Sequence, residues 1–265
     1  MPETPQIESS RPDTPEDDQE LSFLQHLVEL RSRLLKACLS VFVVMIVLLP
    51  FSRRLFEALA SPLMAQLPEG SSMIAIDVAS PFLTPFKLTL LIAIMISIPV
   101  VLYQLWAFVA PALFKHEKSL ARPLLFSSVF LFYAGCAFAY FVVFPLVFGF
   151  LTSVAPEGVA VMTDISKYLD FVMTLFLAFG ITFEIPIATI ILVATGITTA
   201  DKLASWRPYI VVGAFALGMI LTPPDVISQT LLALPMWLLF EVGIIFSRIL
   251  IKTDDTETDA DQATN

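Results

Sequence analysis

Two short stretches each place one carboxylate among several bases. In HLVELRSRLLK (26–36), Glu29 stands with Arg31, Arg33, Lys36 and the weakly basic His26. In FKHEKSLAR (114–122), Glu117 stands with Lys115, Lys118 and Arg122. A carboxylate takes a guanidinium in a planar two-bond fork that an ammonium does not reproduce. The plain reading is internal pairing: Glu29 with Arg33 at i, i+4, worth only ~0.3–0.5 kcal/mol on a helix, and Glu117 with its own basic neighbours. The sharper reading is that both carboxylates face a cationic ligand, while the bases around them draw anionic lipid.

Two further acids need an account. Glu184, in AFGITFEIPIATI, falls in the middle of an apolar run. A charged group there costs a few kcal/mol or more, so it is expected to face protein or water. It either serves transport, as a proton-coupled or substrate-contacting group, or hydrogen-bonds a neighbouring helix and fixes packing. Asp225, in LTPPD, precedes VISQTLL, where an Asp accepts the first free N–H groups of a helix. A functional role can accompany that cap.

The elements that hold these residues are apolar helices. The chain is 57% hydrophobic over 265 residues, above the ~45–50% of a globular domain. The net charge of −9 comes from the ends. Residues 1–20 carry seven acids and one base, residues 253–265 five acids, and the stretch between them fourteen bases against twelve acids. Both ends are too polar to bury a core and are expected to be disordered acidic tails (1–20 and 253–265) around a membrane domain at 21–252.

An apolar run of ~20 residues crosses the hydrocarbon core as a helix. Six are expected: Leu34–Phe51, Phe86–Ala112, Leu124–Leu151, Tyr168–Val193, Tyr209–Leu221 and Ile227–Phe246. The fifth and sixth read as short, the sixth because Ser228, Gln229 and Glu241 leave Thr230–Phe240 as its apolar heart. Such a pair thins the bilayer or shelters behind neighbours; a re-entrant hairpin is the alternative. Placing the N-terminus inside puts eleven Lys and Arg on the inner segments against four outside, so both termini are expected in the cytoplasm. Pro99, Pro145, Pro186 and Pro235 interrupt spans and are expected to kink them into a cupped body. Gly135 and Ala139 suit close helix contact. The Pro-punctuated connection Ser52–Pro85 is expected to pack as a cap.

Several classes are disfavoured. The acidic N-terminus is unlike a cleavable signal peptide. Cys38 and Cys136 sit in apolar runs as small packing residues. His26 and His116 are the two histidines, and HExxH, GxSxG, P-loop and GxGxxG patterns are missing, so no enzyme, metal or cofactor is expected. A secondary transporter for a small cationic solute would show inverted repeats or a chain of intramembrane charges, and neither is visible.

The stretches HLVELRSRLL, SPFLTPFKL, LYQLWAFVAPALFKHEK, FAYFVVFPL, FGITFEIP, RPYIVVGAFALGMILTPPD and SQTLLALPMWLLFEVG, in this order from about residue 22 to 250, resemble the TatC family of the twin-arginine translocase. The resemblance implies six helices in a cupped bacterial inner-membrane protein, part of an oligomeric complex that exports folded proteins on the proton-motive force. It implies that Glu29 and Glu117 hold the two arginines of a signal peptide, with Arg31 and Phe108 part of that site. Pro62, Asp225 and Glu184 match other functional positions. Met219, Thr222 and Gln229 match positions where the single-span partners TatB and TatA dock. No nucleic-acid partner is implied.

Overall fold

The structure, a computed structural model, describes residues 15–64, 73–113, 121–153, 163–221 and 226–262. Their regular structure is helical, apart from one isolated backbone bridge between Ile74 and Asp164, with turns and extended links joining the helices. Helix α1 (Pro15–Leu48) leads through a 3-10 turn (Leu49–Phe51) into α2 (Ser52–Met64). After α3 (Ser80–Leu113) come α4 (Ala121–Phe138), a π-helical stretch (Ala139–Val143) and α5 (Phe144–Ser153). Then follow α6 (Ile165–Thr182), α7 (Ile185–Ala194), α8 (Ala200–Ser205), α9 (Arg207–Leu221) and α10 (Val226–Gln262). Helical backbone thus occupies part of each segment read from composition as a tail.

Among the described residues, five helical spans are long and apolar enough to cross a bilayer: Leu27–Ala58, Ser80–Phe108, Arg122–Val147, Ile165–Ala194 and Gln229–Ile249. The apolar helix Arg207–Leu221 has 15 residues, which is only ~22 Å of helix against a core of ~30 Å. Five of the six expected spans match in place and character. The sixth corrects the expectation of a second short helix, because its apolar window runs 21 residues. Glu241 does not end it, since its carboxylate is neutralised by Arg207. Ser247 turns its hydroxyl onto the Ile244 carbonyl at 2.8 Å, and the run continues to Ile249.

Two prolines mark breaks in helical bonding. Pro145 cannot donate to the carbonyl of residue 141, and the backbone just before it widens into the π stretch, where Phe144 N–H reaches back to the Ala139 carbonyl. Pro186 leaves the Thr182 carbonyl without its helical donor. There the chain tightens, Glu184 N–H bonding the Ile181 carbonyl at 3.0 Å, and α6 gives way to α7. Pro99 and Pro235 lie inside continuous helices.

Helix α1 rests on α3, α4 on α6, and α10 on both α7 and α9. Within lipid there is no hydrophobic drive between helices, so close approach does the work. An added Cβ on Gly135 of α4 would stand 2.5 Å from the Phe179 carbonyl oxygen, and one on Gly243 of α10 would collide with Thr189 Oγ1 and stand 2.9 Å from Pro186 Cα. Ala139 is buried beside Phe179, as the small-residue spacing predicts. Cys136 is buried, whereas Cys38 is exposed on α1 and so does not pack in the core. Only 6% of the first span's apolar window is buried, against 33–39% for the other four. It presents Leu35, Leu39, Phe42 and Ile46 outward, as a lipid-facing helix does.

At the end where α3 begins, the described part of the 52–85 connection is tied down. Ile74 exchanges backbone bonds with Thr163 and Ile165 at 3.1 and 2.9 Å. Ser166 Oγ donates to Ser80 Oγ at 2.8 Å, and Lys87 meets Asp170 at 2.9 Å. Leu55 and Phe56 of α2 pack on Leu88 and Leu91. Those parts are packed against α3 and tied to the start of α6.

Candidate functional site

At the opposite end of α3, α1 brings Glu29 and Arg33 together. One helical turn stacks i and i+4 on the same face, and Arg33 donates from Nε and Nη2 to Glu29 Oε1 at 2.9 and 2.5 Å. The internal pairing read from spacing is therefore present. Both donors use the same oxygen, and among the described residues none bonds Oε2. Arg31, two residues on, is exposed and points away from that face.

Arg33 also lines a cleft of about 150 Å³ between α1 and α3, with Leu30, Leu34, Val101, Gln104 and Phe108 among its walls. Arg33, the partner of Glu29, and Phe108 thus line one cleft from distant sequence positions. Leu105 of α3 lines this cleft and a second one of about 170 Å³, walled by Trp106, Ser128, Glu184 and Ile187. Two neighbouring clefts therefore flank α3.

Glu184 sits at the break between α6 and α7 and accepts a hydrogen bond from Ser128 Oγ on α4 at 2.5 Å. Its other oxygen is buried and has no partner among the described residues. A carboxyl anchored on one oxygen and open on the other can brace two helices and also receive a polar group entering the cleft.

The remaining candidates fall elsewhere. Met219 is exposed on α9, and Gln229 lies half-buried near the start of α10. A Cβ on Gly218 would be 3.6 Å from Gln229, so Gln229 belongs to the α9–α10 contact. Pro62 lies on the described backbone of α2, whose residues near it have undescribed side chains. Glu117, Thr222 and Asp225 lie outside the described residues, and with them the expected second carboxylate and the expected helix cap.

Three polar partners were invisible in the sequence. Ser128 faces Glu184 across 56 positions. Arg207 grips Glu241 from 34 positions away, with Nε on Oε1 at 2.5 Å and Nη2 on Oε2 at 2.8 Å. Arg248 bonds Asp201 at 2.7 Å. No periodic spacing links such pairs; the one available signal was that acids inside or beside apolar runs demand partners.

Apolar helices of membrane length, close helix contacts and carboxylates paired or half-paired at the clefts define an integral, multi-pass helical membrane protein. Comparison with known proteins narrows this. Residues 25–235 match the family model described as Sec-independent protein translocase protein (TatC). The chain is 56% identical over 246 residues to the TatC protein of Azotobacter chroococcum mcd 1, covering 92% of this chain and 96% of that one. It is 57% identical over 236 residues to TatC of Escherichia coli strain K12, covering 89% and 91%. A crystal structure of the twin arginine translocase receptor TatC superposes with a TM-score of 0.77 at 38% identity, covering 84% of this chain and 99% of that one. The chain belongs to the TatC family: it is a multi-pass subunit of the Sec-independent protein translocase, with a role in protein transport.

Proposed function

We propose that this subunit is the signal-peptide receptor of its translocase, and that Glu29, with Glu117, holds the two arginines of the peptide. The observation that carries this reading is Glu29 itself. It stands at one end of the first span, already engaged with a guanidinium, beside an apolar cleft that contains Phe108. Two arginines supply guanidinium forks for the Glu29 and Glu117 carboxylates, and the apolar segment after them suits the apolar cleft. The superposed crystal structure supports it, being that of a twin arginine translocase receptor.

On this reading the Glu29 end faces the cytoplasm, as do both termini, in a bacterial inner membrane; the excess of bases on the inner segments supports the orientation. Arg31 adds field at the entrance. The apolar part of the peptide follows α1 and α3 into the concave face of a cupped molecule. Glu184 meets polar groups in the second cleft, and Pro62 and Asp225 act at the far side. Met219, Thr222 and Gln229 receive single-span TatB and TatA partners, with Gln229 as an interhelical hydrogen-bonding group. Folded substrates are moved on the proton-motive force by the oligomeric complex.

Site-directed cross-linking tests this. A photoreactive group placed just after the arginine pair of a signal peptide is expected to label α1 and α3 around Leu34 and Phe108. Labelling confined to α9 and α10 would contradict it.

A further inference from the structure

We infer that Arg33 is a resident competitor for Glu29: its guanidinium occupies the carboxylate that the substrate's arginine must take, and so sets the affinity threshold for docking. This inference rests on the proposed role of Glu29 as an arginine receptor.

The geometry supports displacement rather than permanent pairing. Arg33 places both donors on Oε1 and leaves Oε2 without a partner among the described residues. Arg207 and Glu241 show the fuller arrangement in the same molecule, two donors on two oxygens. An incoming guanidinium that makes the two-oxygen fork reaches the oxygen that Arg33 leaves open, with one straight bond to each oxygen. The Arg33 side chain is only 24% exposed and that of Glu29 37%, so the pair sits at the surface, within reach of a peptide. The stem of Arg33 also forms one wall of the cleft beside Leu30, Leu34 and Phe108. When the guanidinium leaves Glu29, that wall moves too. A dry apolar cavity of about 150 Å³ holds a benzene ring, so the opened cleft has room for one large apolar side chain of the peptide. Docking of an arginine and entry of its apolar neighbour are thereby coupled through one side chain.

A resident competitor lowers apparent affinity by the fraction of time that Glu29 is free. For a helical i, i+4 pair that fraction is about a third, a penalty on the order of two- to three-fold. The penalty falls equally on every ligand that must displace Arg33, which raises the bar for weak ligands without altering the ranking.

The test uses the complete membrane-embedded complex and a synthetic signal peptide in Arg-Arg and Lys-Lys forms. Arg33→Gln is expected to tighten both peptides by the same factor, about two- to three-fold. Lys36→Gln removes an exposed charge about two turns along α1 from Glu29, leaves the Glu29–Arg33 pair intact and is expected to give no such gain. Equal or weaker binding by Arg33→Gln overturns the competitor role, as does an equal gain from Lys36→Gln, which would reduce the effect to net charge. Glu29→Gln separates the two levels. Weakened binding there alongside no gain from Arg33→Gln overturns the competitor alone, and unchanged binding there overturns the receptor reading and the competitor with it.

Discussion

Arg207, at the start of α9, holds Glu241 of α10 with two donors on two oxygens, at 2.5 and 2.8 Å. Glu241 is the more buried partner, its side chain 19% exposed against 47%. With Arg248 bonded to Asp201 of α8 nearby, α8 and α9 are lashed to α10 at one end. Glu241→Gln is expected to loosen this lashing. Backbone hydrogen exchange in α8 and the first turns of α9 should speed up, while α3 and α4 stay unchanged. Unchanged exchange in α8 and α9 would show the fork to be mechanically idle.

Gly243 is a point of close approach between α10 and α7. A methyl group there meets both Thr189 Oγ1 and Pro186 Cα. The hydroxyl can rotate, but the proline backbone cannot. Gly243→Ala should therefore destabilise the protein by about 1–3 kcal/mol, the usual cost of overpacking, seen as a lower Tm in detergent. Gly213→Ala, with nothing within 4 Å of its added Cβ, should leave Tm level or slightly raised, since Ala favours helix over Gly by ~1 kcal/mol. Equal effects at the two positions would remove the steric explanation.

Ser128 supplies the hydrogen bond that anchors Glu184. Ser128→Ala leaves that carboxyl without its donor among the described residues and should lower stability by about 1 kcal/mol, in the range found for polar contacts between membrane helices. Thermal unfolding of the purified protein measures it. No change in Tm would mean that Glu184 finds another partner when Ser128 is removed.

Helix α9 is short for a membrane span. If that shortness thins the bilayer around the passage, adding four leucines, ~6 Å of helix, should slow export of a folded substrate several-fold. Export at the normal rate would dissociate the short helix from transport.

The spans were legible because runs of apolar residues leave few alternatives to a membrane helix. The Glu29–Arg33 pair was legible because its partners lie one turn apart on one helix. The length of the sixth span was misread for a physical reason: Glu241 looks like the end of an apolar run until Arg207, on another helix, neutralises it. Ser128 opposite Glu184 and Phe108 in the cleft that Arg33 lines were out of reach in the same way. Each depends on which helices become neighbours, and local periodicity carries no such information. Phe108 entered through family resemblance alone, and the α1–α3 cleft gives its position a physical context.

The central claim is that Glu29 and Glu117 recognise an arginine pair. Its most direct test is the affinity of a labelled signal peptide for the membrane-embedded complex, in Arg-Arg and Lys-Lys forms, with wild type, Glu29→Gln and Glu117→Gln. Gln keeps the shape of Glu and removes the charge. The account predicts that each substitution weakens the Arg-Arg peptide by about tenfold or more, ~1.4 kcal/mol, and narrows its advantage over Lys-Lys. Binding of the Arg-Arg peptide that is unchanged in both variants would contradict it, and would leave Glu29 as the partner of Arg33 and nothing more.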